Sequence, residues 1–224
     1  GGMPKLYHGF VKREYFEKIK TLTGDYLFGS SPDISAAVLL LKNSDFYYET
    51  NIPLTIPGAS LGSNTARAAK KNHFGKLEDE VQTRDFAGSW PELLPRVFTV
   101  ETVWAHSAIL SLNKLNLSSL DFNYIKLNSL ILINNSGSFN YTKDHITRLN
   151  FQKILLFIYY LLVEFTKKQI IRFQRLLVPT ASGGRIFFSN VKDLEDVINK
   201  AWKIRVHKNF NQHQSISLIK KLIK

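Results

Sequence analysis

The stretch Gly29-Ser30-Ser31-Pro32-Asp33, running into Ile34-Ser35-Ala36-Ala37-Val38-Leu39-Leu40-Leu41, limits the fold more than any other part of the chain. Glycine, serine and proline mark a loop. The residues after Asp33 read as an apolar helix, with Ile34, Ala37, Val38 and Leu41 at i, i+3, i+4 and i+7 on one face. Aspartate is a good helix cap, because its carboxylate accepts from the free N–H groups of the first turn. Asp33 therefore reads either as a plain N-cap or as a carboxylate held at the edge of a rigid element. The second position suits a general base.

Length and composition bound the answer. The 224 residues can form one large domain or two small ones. A hydrophobic content of 44% and an aromatic content of 12% suit a folded chain. The absence of cysteine excludes disulfides and Cys-ligated zinc or iron–sulfur sites, and it agrees with a reducing compartment. The first residues show no charged segment followed by an apolar core and a small-residue cleavage site, so a cytoplasmic setting is expected. The longest apolar run, Ile154 to Val163, is ten residues. A membrane-spanning helix needs about 20, so the run reads as a buried helix.

The net charge of +12 is unevenly placed. Residues 1–113 hold 12 Lys/Arg against 12 Asp/Glu, whereas residues 114–224 hold 18 against 6. This split suggests two functional parts, 1–113 and 114–224.

Residues 5–20 read as a short strand and then a helix with Tyr15, Phe16 and Ile19 facing inward. Phe46-Tyr47-Tyr48 and Leu54-Thr55-Ile56 are strand candidates, and residues 72–91 are irregular and polar. The spacing predicts a helix from Pro91 to Leu112 with Val100, Trp104, Ala108 and Leu112 on one line. Residues 120–134 read as strand-like, residues 144–177 as one long helix, and a further helix begins at Asn190.

The order of motifs is similar to one family. Leu6-Tyr7-His8-Gly9-Phe10-Val11-Lys12-Arg13 leads to the loop ending at Asp33. Pro53-Leu54-Thr55-Ile56-Pro57-Gly58-Ala59-Ser60 and Ser63-Asn64 come after it. Over about residues 5 to 112, this resembles the second half of the catalytic domain of family 2 glycosyltransferases, of the kind that build bacterial surface polysaccharides. The resemblance implies an α/β fold: a partial GT-A-like half-domain over 1–113, then a basic, mainly α-helical region over 114–224. It implies inverting transfer of a sugar from a nucleotide-sugar donor to a glycan or lipid-linked acceptor, with Asp33 as the base. It places Tyr7 and His8 near the donor pocket, and Ser60, Ser63 and Asn64 near the donor diphosphate and acceptor.

The family's Asp-x-Asp signature, which holds a divalent metal (Mg or Mn) on the donor diphosphate, occurs nowhere in this sequence. The chain therefore reads as lacking the donor-binding half, with the metal belonging to that half and little transferase activity expected from this chain alone.

Each remaining candidate has a bland alternative. Trp90, in a loop before Pro91, could stack on an acceptor sugar, whereas Trp104 reads as core. Ser63 or Asn64 could simply cap a helix, and His8 could be a hydrogen-bonded structural residue. No histidine spacing matches a metal motif. The basic second half suits either an anionic membrane surface or nucleic acid. No nucleic-acid motif is present, which favours a peripheral position on the inner face of a membrane. The competing function class is a non-catalytic binding module whose basic helices contact such a membrane, a partner protein or nucleic acid.

Overall fold

The computed structural model describes residues 4, 6–48, 74–118, 122–135, 137–177, 190, 192–193, 195–196 and 199. The chain divides into two compact units, Gly1–Lys168 and Gln169–Lys224. The described part of the first unit is helical. Its elements are α1 (Arg13–Thr23), α2 (Pro32–Asn43), α3 (Val100–Lys114), α4 (Tyr124–Asn134), α5 (Phe139–Thr147) and the start of α6 (Phe151–Leu177). The described part of the second unit consists of the last turns of α6 and a few residues from 190 to 199.

The expected α/β half-domain is overturned. Among the described residues there is no strand, and the one ladder-type pairing is an isolated bridge between Gly75 and Phe98. The segment read as a strand near residue 5 is a short 3-10 turn, Leu6–His8. Phe46-Tyr47-Tyr48 forms no strand, and Leu54-Thr55-Ile56 lies outside the described residues. Residues 124–134, read as strand-like, form α4. A short apolar-rich run does not distinguish strand from helix by period alone. A local feature favours the helix: Asn123 accepts from the Lys126 N–H at 2.9 Å as an N-cap.

Helix boundaries obey similar local chemistry. α1 ends at Gly24, whose φ of 85° is left-handed and whose N–H reaches the Lys20 carbonyl. α3 starts at Val100 rather than Pro91. Thr99 and Thr102 form a capping box there, each side chain accepting from the other's backbone N–H. The long helix expected over 144–177 is two helices. The break falls at Leu149-Asn150, where the Asn150 side chain accepts from the Lys153 N–H at 3.0 Å and starts α6.

Packing runs in sequence order, α1 on α2, α2 on α3, α3 on α4 and α4 on α5. One core joins Leu77, Trp90, Leu94 and Phe98 to Val103 and Ile109 of α3 and Leu127 and Ile131 of α4. A smaller core joins Ile19 to Leu39 and Leu40, with Tyr15 and Phe28 against it. Lys114, at the end of α3, donates to the Thr23 carbonyl at 2.7 Å and pairs with Asp25, tying α3 to the end of α1.

The buried face of α2 is Ser35, Ala36, Ala37, Leu39 and Leu40, so it is rotated from the predicted stripe, and Leu41 is exposed. Likewise α3 buries Thr102, Val103, Ala105, His106, Ser107, Ile109 and Ser111, while Trp104 of the predicted line is 52% exposed. Small residues face each other across the α2–α3 seam and allow the two helices to approach closely.

Candidate functional site

The loop before α2 is held by buried polar side chains. Ser30 is buried, and its Oγ lies 2.8 Å from Nδ1 of His106 and 3.1 Å from the Val103 carbonyl. The Ser30 hydroxyl thus bridges the Val103 carbonyl and the His106 ring, with the His106 tautomer setting which partner receives its proton. Ser107 Oγ accepts from the Ser31 N–H at 2.7 Å, and Ser35 Oγ donates to the Phe28 carbonyl at 2.8 Å. Gly29 sits in this seam with a φ of +82°. A β-carbon there would lie 3.0 Å from Ser107 Oγ and 3.1 Å from Ser35 Oγ. Only glycine meets both demands without strain.

His106 is fully buried between two rings. The Trp90 ring stacks on it at 4.4 Å and 10°, and Phe86 tilts against it at 4.9 Å. Its Nε2 has no hydrogen-bond partner among the described residues. Burial pushes its pKa down to about 4, so the ring is neutral at pH 7. Ser30 and His106 have the residue types of a nucleophile and its base. Both are buried, however, and Ser30 also contacts a backbone carbonyl, so the pair positions the loop.

Asp33 lies two residues further into α2 than the cap. Ser31 holds the N-cap position, Pro32 opens the helix, and Asp33 stands in the first turn. The side chain of Asp33 is half-buried, and its Oδ1 accepts from Ser31 Oγ at 2.5 Å. Its second oxygen has no hydrogen-bond partner among the described residues.

Trp90 is 7% exposed, and its indole N–H donates to the Pro95 carbonyl at 3.3 Å. One face is covered by His106. The residue nevertheless lines an open cleft of about 590 Å³, together with Glu92, Arg96, Tyr141, Asp144, His145 and Arg148. Arg96 is anchored there by the Ala87 carbonyl and Glu78, each at 2.8 Å. His145 is pushed below its ordinary pKa, first by burial and then by Arg148, with Asp144 opposing. The cleft thus joins carboxylate acceptors, guanidinium donors and two aromatic rings, a combination that suits polyhydroxylated ligands.

The turn carrying Tyr7 and His8 packs against α2, and the Tyr7 side chain is exposed. Ser60, Ser63 and Asn64 lie outside the described residues. Through His106, the structure links the Asp33 loop to Trp90. His106 was not singled out in the sequence, although a lone histidine inside a helix of small and apolar residues is a visible signal. The cleft residues on α5 were missed because nothing in their spacing ties them to Trp90. Among the described residues no three His, Asp or Glu side chains converge as a metal site. No helix there is long and apolar enough to cross a membrane.

No protein-family model, curated protein or solved structure matches this chain.

Proposed function

We propose that this chain provides the acceptor side of an inverting glycosyltransferase that uses a nucleotide-sugar donor, with Asp33 as general base. The observation that carries the reading is the environment of Asp33. One oxygen is fixed by Ser31 and the other has no partner among the described residues. The loop before it rests on the same buried His106 that supports Trp90 in the wall of the polar cleft. The order of motifs from Tyr7 through Asn64 supports the same reading.

In this mechanism the acceptor hydroxyl attacks the anomeric carbon of the donor as its proton passes to Asp33. The bond from that carbon to the nucleoside diphosphate breaks on the opposite face, and the diphosphate leaves with the electron pair. A general base in this position contributes about 10²- to 10⁴-fold. Ser31 orients the carboxylate. A divalent metal on the donor diphosphate would supply the electrostatic help to the leaving group, held by donor-binding residues outside this sequence.

The test is stereochemical. The native gene product is incubated with a panel of nucleotide sugars and a glycan or lipid-linked acceptor, and the anomeric configuration of the product is read by NMR. Transfer with inversion is expected. Transfer with retention, or no transfer from any donor alongside tight binding of unrelated ligands in the cleft, overturns the reading.

A further inference from the structure

Helix α6 is built inside out within the first unit. The side facing α4 carries its polar contacts. Glu164 pairs with Lys126, Lys168 Nζ donates to the Ile133 carbonyl at 2.7 Å, Asn123 donates to the Tyr160 hydroxyl, and the buried Phe157 sits among them. The opposite side carries Phe151, Leu155, Ile158, Tyr159, Leu162 and Phe165, at helical spacing and each between 45% and 75% exposed. Six large apolar side chains in one exposed stripe are far from the scattered single exposures of an ordinary surface.

We infer that this stripe docks on the surface of an anionic lipid bilayer, with α6 lying in the plane of the interface. Two observations select this occupant. The stripe from Phe151 to Phe165 is about 21 Å long at helical rise, shorter than the roughly 30 Å hydrocarbon core, so it suits an in-plane helix. The region is strongly basic, with 18 Lys/Arg against 6 Asp/Glu over residues 114–224. That charge attracts anionic lipid and repels a second copy of the same basic region. The inference does not depend on the glycosyltransferase reading, because it uses no residue of the Asp33 loop or the cleft.

The experiment is co-sedimentation of the full chain with vesicles of phosphatidylcholine alone or with roughly 30% phosphatidylserine, enough anionic lipid to give the vesicle a negative surface potential. Binding to the anionic vesicles is expected, falling at least about tenfold on neutral vesicles and weakening as salt rises. Ile158→Glu combined with Leu162→Glu should lower binding to anionic vesicles by at least about tenfold while the circular dichroism spectrum stays unchanged, since both side chains are exposed. If that variant fails to fold, Leu155→Ser with Phe165→Ser gives the same readout with less perturbation. Failure of the wild-type chain to bind anionic vesicles overturns the inference. So does full binding by folded stripe variants, or self-association through the stripe without vesicle binding.

Discussion

The α2–α3 seam and helix α6 break the same rule in opposite directions. At the seam, polar residues are inside: Ser30, Ser31, Ser35, His106, Ser107 and Ser111 are all buried. On α6, large apolar residues are outside. The seam tolerates buried polar groups because nearly every one has a partner among the described residues, the exception being His106 Nε2 on the ring packed against Trp90 and Phe86. Helix α6 keeps its polar groups on the α4 side because those contacts tie it to the domain. The seam positions a carboxylate, and α6 presents a surface. In both regions the departure from the simple inside–outside pattern points to what the region does.

Truncating a leucine in each region puts this contrast at greatest risk. Leu39→Ala removes a fully buried side chain from the smaller core and should cost about 3 kcal/mol in urea denaturation. A loss below about 1 kcal/mol would show that α2 is not packed as described. The matching truncation on the outer stripe of α6 should cost least of all the changes considered.

Acid should loosen the seam next. The native pKa of His106, at about 4, lies below the unfolded value near 6.5, so the unfolded chain binds the extra proton. The stability due to this group is complete above pH 6.5 and is lost as pH falls towards 4. Between pH 7.5 and pH 4.5 the loss from this one group should be about 2.5 kcal/mol. Urea titrations at both values, on the wild-type chain and on His106→Gln, isolate it. The variant should show a smaller pH dependence by about that amount, and equal slopes would place His106 in contact with water.

Gly29→Ala ranks third, at about 2 kcal/mol, from the left-handed φ and the approach of Ser107 and Ser35. A neutral effect in thermal unfolding would mean that the loop can withdraw from α3. Last, Leu162→Ala on the stripe should change stability by no more than about 0.5 kcal/mol. A loss comparable to that of Leu39→Ala would show that the stripe is covered in the folded chain.

Much of the helical content was legible in the sequence, and the fold class was not. α1 could be read from Tyr15, Phe16 and Ile19, and its end from Gly24. The start of α2 was visible in Pro32-Asp33, yet its buried face was misassigned. The seam prefers Ser35, Ala36 and Ala37 for close approach, and a hydrophobicity pattern does not weigh size. For the same reason Trp104 and Trp90 exchanged places, Trp104 facing out and Trp90 closing over His106. The break before α6 was written in Asn150, a cap residue ahead of an apolar run. Residues 124–134 were ambiguous in principle, and the cap at Asn123 resolved them. Asp33 stood out from its loop context. Its dependence on Ser31 is a contact within one turn, but the link through His106 to Trp90 joins distant parts of the chain and leaves no local trace.

Whether Asp33 is a base or a brace is decided by paired measurements on Asp33→Asn in the native gene product. The turnover number and the thermal midpoint are read on the same preparation. A base predicts a loss of about 10²-fold or more in turnover, with the midpoint nearly unchanged, because asparagine can still accept from Ser31. A turnover number within a few-fold of the wild type, with any shift confined to the thermal midpoint, would contradict the assignment and leave Asp33 a structural residue at the start of α2.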